Sequence, residues 1–145
     1  MELTWTEQLS VGNAVIDADH KELIELVNYI AYVTKARDSF ELSRALKLFK
    51  GCISRHSINE EQFAWALNFP FGMHKVAHQN MQTEIDLTGY ELGKNSISTI
   101  FIMEHYAQFL RDWLIKHITE DDMPMKPVLQ TRPYDFKVDE AHFYS

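Results

Sequence analysis

Cysteine is nearly absent from this sequence. Of 145 residues only Cys52 carries a thiol, so no internal disulfide can form and nothing calls for an oxidising compartment. Glycine and proline are scarce too, at 5 and 4 residues, which argues against a disordered or turn-rich β chain and for long helices. Basic residues are outnumbered: 14 Lys and Arg against 21 Asp and Glu leave a net charge of −7. Such a chain is a poor match for nucleic acid or an anionic membrane surface. No apolar run approaches the ~20 residues needed to cross a bilayer, so no membrane insertion is expected. The first residues, Met1-Glu2-Leu3-Thr4-Trp5, lack the basic start and apolar stretch of a secretion signal. The expectation is a cytoplasmic protein of one domain, with 46% hydrophobic residues to build its core.

What the sequence does contain is helical periodicity. Residues 1–16 have none and read as an extended arm, with Trp5 and Val11 free to pack against the helices beyond it. Asp17 is the expected N-cap of a first helix over about 18–37, with Asp19 adding charge to its first turn. Its inward stripe is His20, Leu23, Ile24, Val27, Ile30 and Ala31. A second helix over about 40–67 starts from Asp38, with Glu41 placed for a capping box. It carries Leu42, Ala45, Leu46, Phe49, Ile53, His56, Glu60, Phe63 and Leu67 on one face. Phe69-Pro70-Phe71-Gly72 breaks it. The third helix, about 71–89, carries His74, Ala77, His78, Met81 and Ile85 and stops at Gly89. A turn at residues 93–96 supplies the cap for the fourth, about 96–118, with Met103, Tyr106, Leu110, Trp113, Leu114 and His117 inward. Pro124 and Pro127 are expected to end helical structure, leaving residues 123–145 as an irregular tail. Four amphipathic helices on short turns predict an all-α, up-down-up-down antiparallel four-helix bundle over residues 1–122.

On every stripe the polar exceptions are metal-ligand types. They are His20 on the first helix, His56 and Glu60 on the second, His74 and His78 on the third, and His117 with Asp122 shortly beyond it on the fourth. Residues four apart share a face and are separated by ~6 Å along the axis, so such pairs converge on one ion or on two neighbouring ions. Unpaired, these groups would cost several kcal/mol to bury. Any one of them alone has a plainer reading: a hydrogen-bonded core histidine, a solvated His-x-x-x-His pair, or a surface carboxylate beside Glu61. The set is what points to metal. Imidazole with carboxylate suits iron, manganese or zinc, and the lack of thiols argues against iron–sulfur or thiolate zinc. His105 lies off the stripe and His142 in the tail, so both are expected to be non-ligands.

Several segments together resemble the hemerythrin family. They are Trp5 with Val11-Gly12, the run Ile16-Asp17-Ala18-Asp19-His20, His56-Ser57-Ile58-Asn59-Glu60-Glu61, His74-Lys75-Val76-Ala77-His78, and Trp113-Leu114-Ile115-Lys116-His117 through Asp122. The likeness runs from about Trp5 to Asp122 in the family's order and spacing. It is to the single-domain, bacteriohemerythrin-like kind, and it implies a non-haem di-iron centre. His74, His78 and His117 would hold one iron and His20 and His56 the other. Glu60 and Asp122 would bridge them together with an oxo or hydroxo group. Asp122 is chosen over Asp121 because it keeps the family's spacing from His117. The second iron, one ligand short, would be the dioxygen site, cycling between Fe2+ and Fe3+ without releasing a product. Ile24, Phe63, Leu110, Trp113 and Leu114 are candidate walls of an oxygen pocket. The chain departs from the family at Asp19, where Gln is frequent and where a charge should alter the surroundings of His20, and at Ser57, where an aromatic is common. The tail has no counterpart.

The function this implies is reversible dioxygen binding, as carrier or store, and no catalytic residues are expected. The stripes offer no Lys, Ser or spare carboxylate placed as acid, base or nucleophile. Two alternatives remain. One is an oxygen or redox sensor working through a signalling partner. The other is a di-iron oxidase or peroxidase, although ferritin-like oxidases use Glu-x-x-His pairs that are missing among these site residues. A carrier would hand oxygen to an oxygen-consuming partner. A structural zinc bundle and a mixed iron–manganese pair also fit the ligand types.

Overall fold

The computed structural model describes residues 2–94 and 97–138. It forms the expected antiparallel four-helix bundle: α1 (Ala14–Lys35), α2 (Ser39–Ala66), α3 (Gly72–Gly93) and α4 (Ile97–Lys116). A π-helical turn, His117–Asp122, continues α4, and a 3-10 turn, Met123–Met125, leads into a last short helix, α5 (Lys126–Leu129). Among the described residues no helix is long and apolar enough to cross a membrane.

α1 begins earlier than its periodicity predicts. Its N-cap is Asn13, whose side-chain oxygen accepts from Val15 N and Ile16 N, a contact typically contributing ~1 kcal/mol. Asp17 is therefore not a cap. It sits fully buried inside the first turn, where it accepts from the Ser10 hydroxyl (2.5 Å), Val11 N (2.9 Å) and the Tyr134 hydroxyl (2.9 Å). Ala31 is exposed, and Val33 and Thr34 carry the stripe onward in its place.

α1 and α2 both end in a left-handed residue, Arg37 (φ 59°) and Asn68 (φ 56°). Behind each, an amide reaches back five residues, Asp38 N to Val33 O and Phe69 N to Ala64 O, closing the helix by the Schellman pattern. Asp38 caps α2 through Glu41 N. The capping box stays half made, because the Glu41 carboxylate turns instead to Arg44 and the Tyr29 hydroxyl.

α3 runs through Gly89 to Gly93, since Thr88 and Leu92 keep the apolar face going on either side of that glycine. Part of the cap expected for α4 (Asn95, Ser96) lies outside the described residues, as do His142, Phe143 and Tyr144. Pro124 and Pro127 do not end the helical path. Each stands in the first positions of a new short turn, where a missing N–H leaves no hydrogen bond unmade.

The buried side chains form two clusters. The main core contains Leu23, Ile24, Ile53, Met81, Leu110, Leu114 and Ile118 among others, with Trp5 packed against it. The second holds Val11, Ile16, Phe63, Ala64, Met125 and Leu129, and is closed by Phe71, Phe136 and Val138. The first stretch of the tail thus covers one end of the bundle. It is tied there by Ala14 N to Tyr134 O and by Asn13 Nδ2 to Phe136 O, each over 100 residues apart in sequence. Gly12 (φ +82°) permits the approach, since a Cβ at that position would fall 2.8 Å from Gln130 Cγ.

Candidate metal centre

On each helix the metal-ligand residues stand between a residue of the main core and one of the second. His20 lies between Ile16 and Ile24, His56 and Glu60 between Ile53 and Phe63, His74 and His78 between Phe71 and Met81, and His117 and Asp122 between Leu114 and Met125. All seven are buried, and only His74, at 9% exposure, touches solvent appreciably. Ligand atoms of His56, Glu60, His78, His117 and Asp122 lie within 4.8 Å of one another. His20 and His74 join them through Asp122, at 2.7 and 2.6 Å. Every ligand expected from the sequence is brought to this one place, and His105 lies away from it, exposed beside Phe101.

The Asp122 carboxylate divides the histidines. Its Oδ2 faces His20 Nε2 (2.7 Å) and His56 Nε2 (3.5 Å), and its Oδ1 faces His74 Nε2 (2.6 Å) and His117 Nε2 (3.3 Å). Glu60 Oε1 stands opposite, 2.6 Å from His56, 3.2 Å from His74 and 3.4 Å from His78. His78 Nε2 and His117 Nε2 are 2.7 Å apart.

Apart from His20 Nε2 with Asp122 Oδ2 and His78 Nε2 with His117 Nε2, these contacts are close without being good hydrogen bonds. His56 Nε2, His74 Nε2, both Glu60 oxygens and Asp122 Oδ1 are buried and find no partner of proper geometry. Buried polar atoms left so are rare and costly. Imidazole and carboxylate atoms crowded within 4.8 Å of one another and short of partners are what a cation would satisfy, so the donor set fits metal.

Local helix geometry explains the convergence. His56/Glu60 and His74/His78 are spaced by one α-helical turn. His117 and Asp122 are five apart, which an α-helix would set roughly 140° round its axis. The turn from His117 to Asp122 is instead π-helical, the wider i→i+5 form often found at functional sites, and it brings the Asp122 carboxylate to the same side as His117 Nε2. Asp121, one residue earlier, meets His117 from behind, at Nδ1 (2.9 Å).

Sequence reasoning misplaced one neighbour and missed another. Asp19 was expected to act on His20, but its carboxylate reaches the neighbouring helix and meets His56 Nδ1 (3.2 Å). Phe71 lies on His74 (ring centroids 4.9 Å apart, 21° between planes) and reaches His78 (6.1 Å). Its place next to the His74 motif was the available signal. Among the five candidate pocket residues, Ile24, Leu110 and Leu114 belong to the main core, and Trp113 stacks on His117 (4.7 Å, 9°). Phe63 belongs to the second core, against Phe136 (5.9 Å).

The family comparisons agree with this centre. The model of the family described as Hemerythrin HHE cation binding domain matches residues 11–129. The chain belongs to the hemerythrin family. Similar proteins include a bacteriohemerythrin of Campylobacter jejuni, 26% identical over 83% of this chain and 90% of that protein. A hemerythrin-like protein of Naegleria gruberi is 29% identical over 86% of this chain and 92% of its own length. A crystal structure of wild-type hemerythrin shares the fold, with a TM-score of 0.74 at 21% identity over 88% of this chain and 98% of that one. The chain is thus a hemerythrin-like protein with a candidate iron site of histidines and carboxylates.

Without a cation the cluster holds its protons unevenly. Burial pushes His78 down to about 2, reinforced by His117 and His56, and lowers His117 against the pull of Asp122 and Glu60. Burial also acts downward on His74 and His56. For His74 it is outweighed by Asp122 and Glu60, which lift it to about 10. For His56 it is outweighed by Glu60, Asp122 and Asp19, which hold it well above its usual value. Burial would raise Asp122, but His117 and contacts with His20, His56 and His74 hold it well below the carboxylate range. A metal takes neutral imidazole, so binding must displace the protons on His56 and His74. Adding zinc or ferrous ion to metal-free protein at pH 8, in a weakly buffered dye solution, should release protons, that of His74 among them. No release would contradict this charge distribution.

Proposed function

We propose that this hemerythrin-family chain binds dioxygen reversibly at a non-haem di-iron centre, as a carrier or store. The observation that carries the reading is the division made by Asp122, with His20 and His56 facing one oxygen and His74 and His117 facing the other. Glu60, within reach of His56, His74 and His78, suits a second bridge. His74, His78 and His117 would then hold one iron and His20 and His56 the other, which is left a ligand short. When bound, the iron pair supplies the two electrons that a dioxygen molecule can accept and return.

The protein's own part is positioning and exclusion of water. The ligands come from four helices whose cores pack on both sides of them, so their positions are fixed before metal arrives. Trp113 stacked on His117 and Phe71 stacked on His74 supply an apolar surround, which favours return of oxygen over loss of a reduced product. With polar residues near the cluster engaged on the ligands themselves, binding is favoured over an enzymatic role as oxidase or peroxidase. An oxygen-consuming protein is the partner such a carrier would serve.

The test is an optical titration with iron measured on the same sample. Protein reduced without air should develop a visible charge-transfer band when oxygen is admitted and lose it when oxygen is removed, at two irons per chain. Iron that oxidises once and needs added reductant to recover would replace this reading with an oxidase or peroxidase.

A further inference from the structure

The seven expected ligands do not account for every buried charge at the centre. Asp19 directly precedes a ligand in sequence yet turns away from it. It leaves α1 for α2, where Oδ2 stands 3.2 Å from His56 Nδ1 and accepts from Asn59 Nδ2 at 2.9 Å. The residue is 7% exposed, and His56 1%. Asn59 lies one turn beyond His56 on the same helix, so it clamps the carboxylate against the imidazole it serves. The other histidines differ. The Nδ1 atoms of His20 and His78 are buried and unpartnered. His117 Nδ1 meets Asp121 from its own helix, but the Asp121 side chain is 45% exposed.

We propose that Asp19, held by Asn59, is a positioning residue that fixes the tautomer of His56 and strengthens it as a metal donor. The inference rests on the metal-site reading of the cluster and needs no assumption about oxygen. A histidine that offers Nε2 to a metal must keep its proton on Nδ1. A carboxylate at Nδ1 accepts that proton's hydrogen bond, locks the ring plane and draws electron density toward Nε2. Asp19 is shielded from water, so its charge acts at low effective dielectric, whereas Asp121 is screened by solvent. An oxidised iron pair carries more positive charge than a reduced one. A fixed anion behind His56 therefore stabilises the oxidised pair more. The dispositions of Asp19 and Asp121 thus make His56 a more strongly supported donor than His20, His78 or His117.

The test uses Asp19→Asn, which keeps the shape and an amide oxygen able to accept from Nδ1 but removes the charge. Zinc affinity is read by competition with a chromophoric chelator, and the midpoint potential of iron-loaded protein by mediated redox titration. Asp19→Asn should weaken zinc binding ~10–100-fold and raise the midpoint potential. Asn59→Ala, which frees the carboxylate without removing it, should weaken zinc binding less. Asp121→Asn should change both quantities less than Asp19→Asn does. Wild-type zinc affinity and potential in Asp19→Asn would overturn the proposal. If Asp19→Asn does not fold, Asn59→Ala decides, and unchanged zinc affinity there overturns it. Zinc affinity does not depend on oxygen, so a chain that never binds oxygen reversibly still gives an answer. A wild-type chain that takes up neither zinc nor iron removes this proposal together with the metal site.

Discussion

His56→Ala and Glu60→Ala are each expected to drop the iron content from two ions per chain to fewer than one, while His105→Ala leaves it unchanged. Both residues belong to the group whose ligand atoms lie within 4.8 Å of one another. Glu60 Oε1 lies within 3.4 Å of three histidines, so its loss removes a ligand shared across the centre and one of its two central negative charges. His56 is backed by Asp19, and its removal leaves that buried carboxylate held by Asn59 alone. His105 is exposed and remote and controls for the loss of any histidine. Metal analysis on folded protein, with far-UV circular dichroism to confirm the fold, decides the matter. Equal metal content in all three variants would sink the ligand assignment.

Removing the metal should lower the melting temperature by roughly 10 °C or more. A ligand at a thousand times its dissociation constant adds about 4 kcal/mol to the folded state, and one kcal/mol moves the midpoint of a chain this size by roughly 3 °C. The metal-free protein should also be pinched by pH from both sides. His78 is depressed to about 2, so the unfolded chain binds its proton first and stability falls as pH drops below the ordinary histidine value of ~6.5. Asp122, also depressed, adds stability above the ordinary carboxylate value and loses it as pH falls further. His74 has the opposite sign. Raised to about 10, it contributes fully below ~6.5 and less as pH climbs toward 10. Melting curves with and without chelator across pH 4–10 should show a narrow optimum near neutrality for the metal-free form. A metal-free protein with unchanged melting temperature would mean that the cluster is stable without a cation.

The bundle and most of the centre were legible because α-helical spacing carries them. His56 and Glu60, and His74 and His78, sit one turn apart on apolar stripes, and no long-range knowledge was needed to place them on one face. Asp122 was not legible in this way. Helical spacing from His117 points to Asp121, and only the family's spacing selected its neighbour, which the π-helical turn then brings inward. The start of α1 was lost for a related reason. Asn13 and Asp17 are both good caps, and what separates them includes a part-buried bond to Asp17 from Tyr134, 117 residues away. Pro124 and Pro127 misled because a residue that stops a helix from within can also begin one. Asp19 was recognised as unusual but assigned to the wrong histidine, since sequence adjacency says nothing about which neighbouring helix a side chain will reach.

The turn from His117 to Asp122 behaves as one residue spliced into a helix that would otherwise run straight. Deleting a single residue between them would heal it to ordinary α-helical winding and strengthen its local hydrogen bonding. That deletion would leave Met125 and Leu129 near their places in the second core, because four α-helical residues turn through about the same angle as five π-helical ones. A deletion just after Asp122, where no wide turn absorbs it, would rotate both by about a quarter turn and unseat the segment that Tyr134 and Phe136 fasten to the arm. The extra residue is thus absorbed inside the turn and never passed on, so a one-residue deletion should be tolerated better between His117 and Asp122 than between Asp122 and Met125.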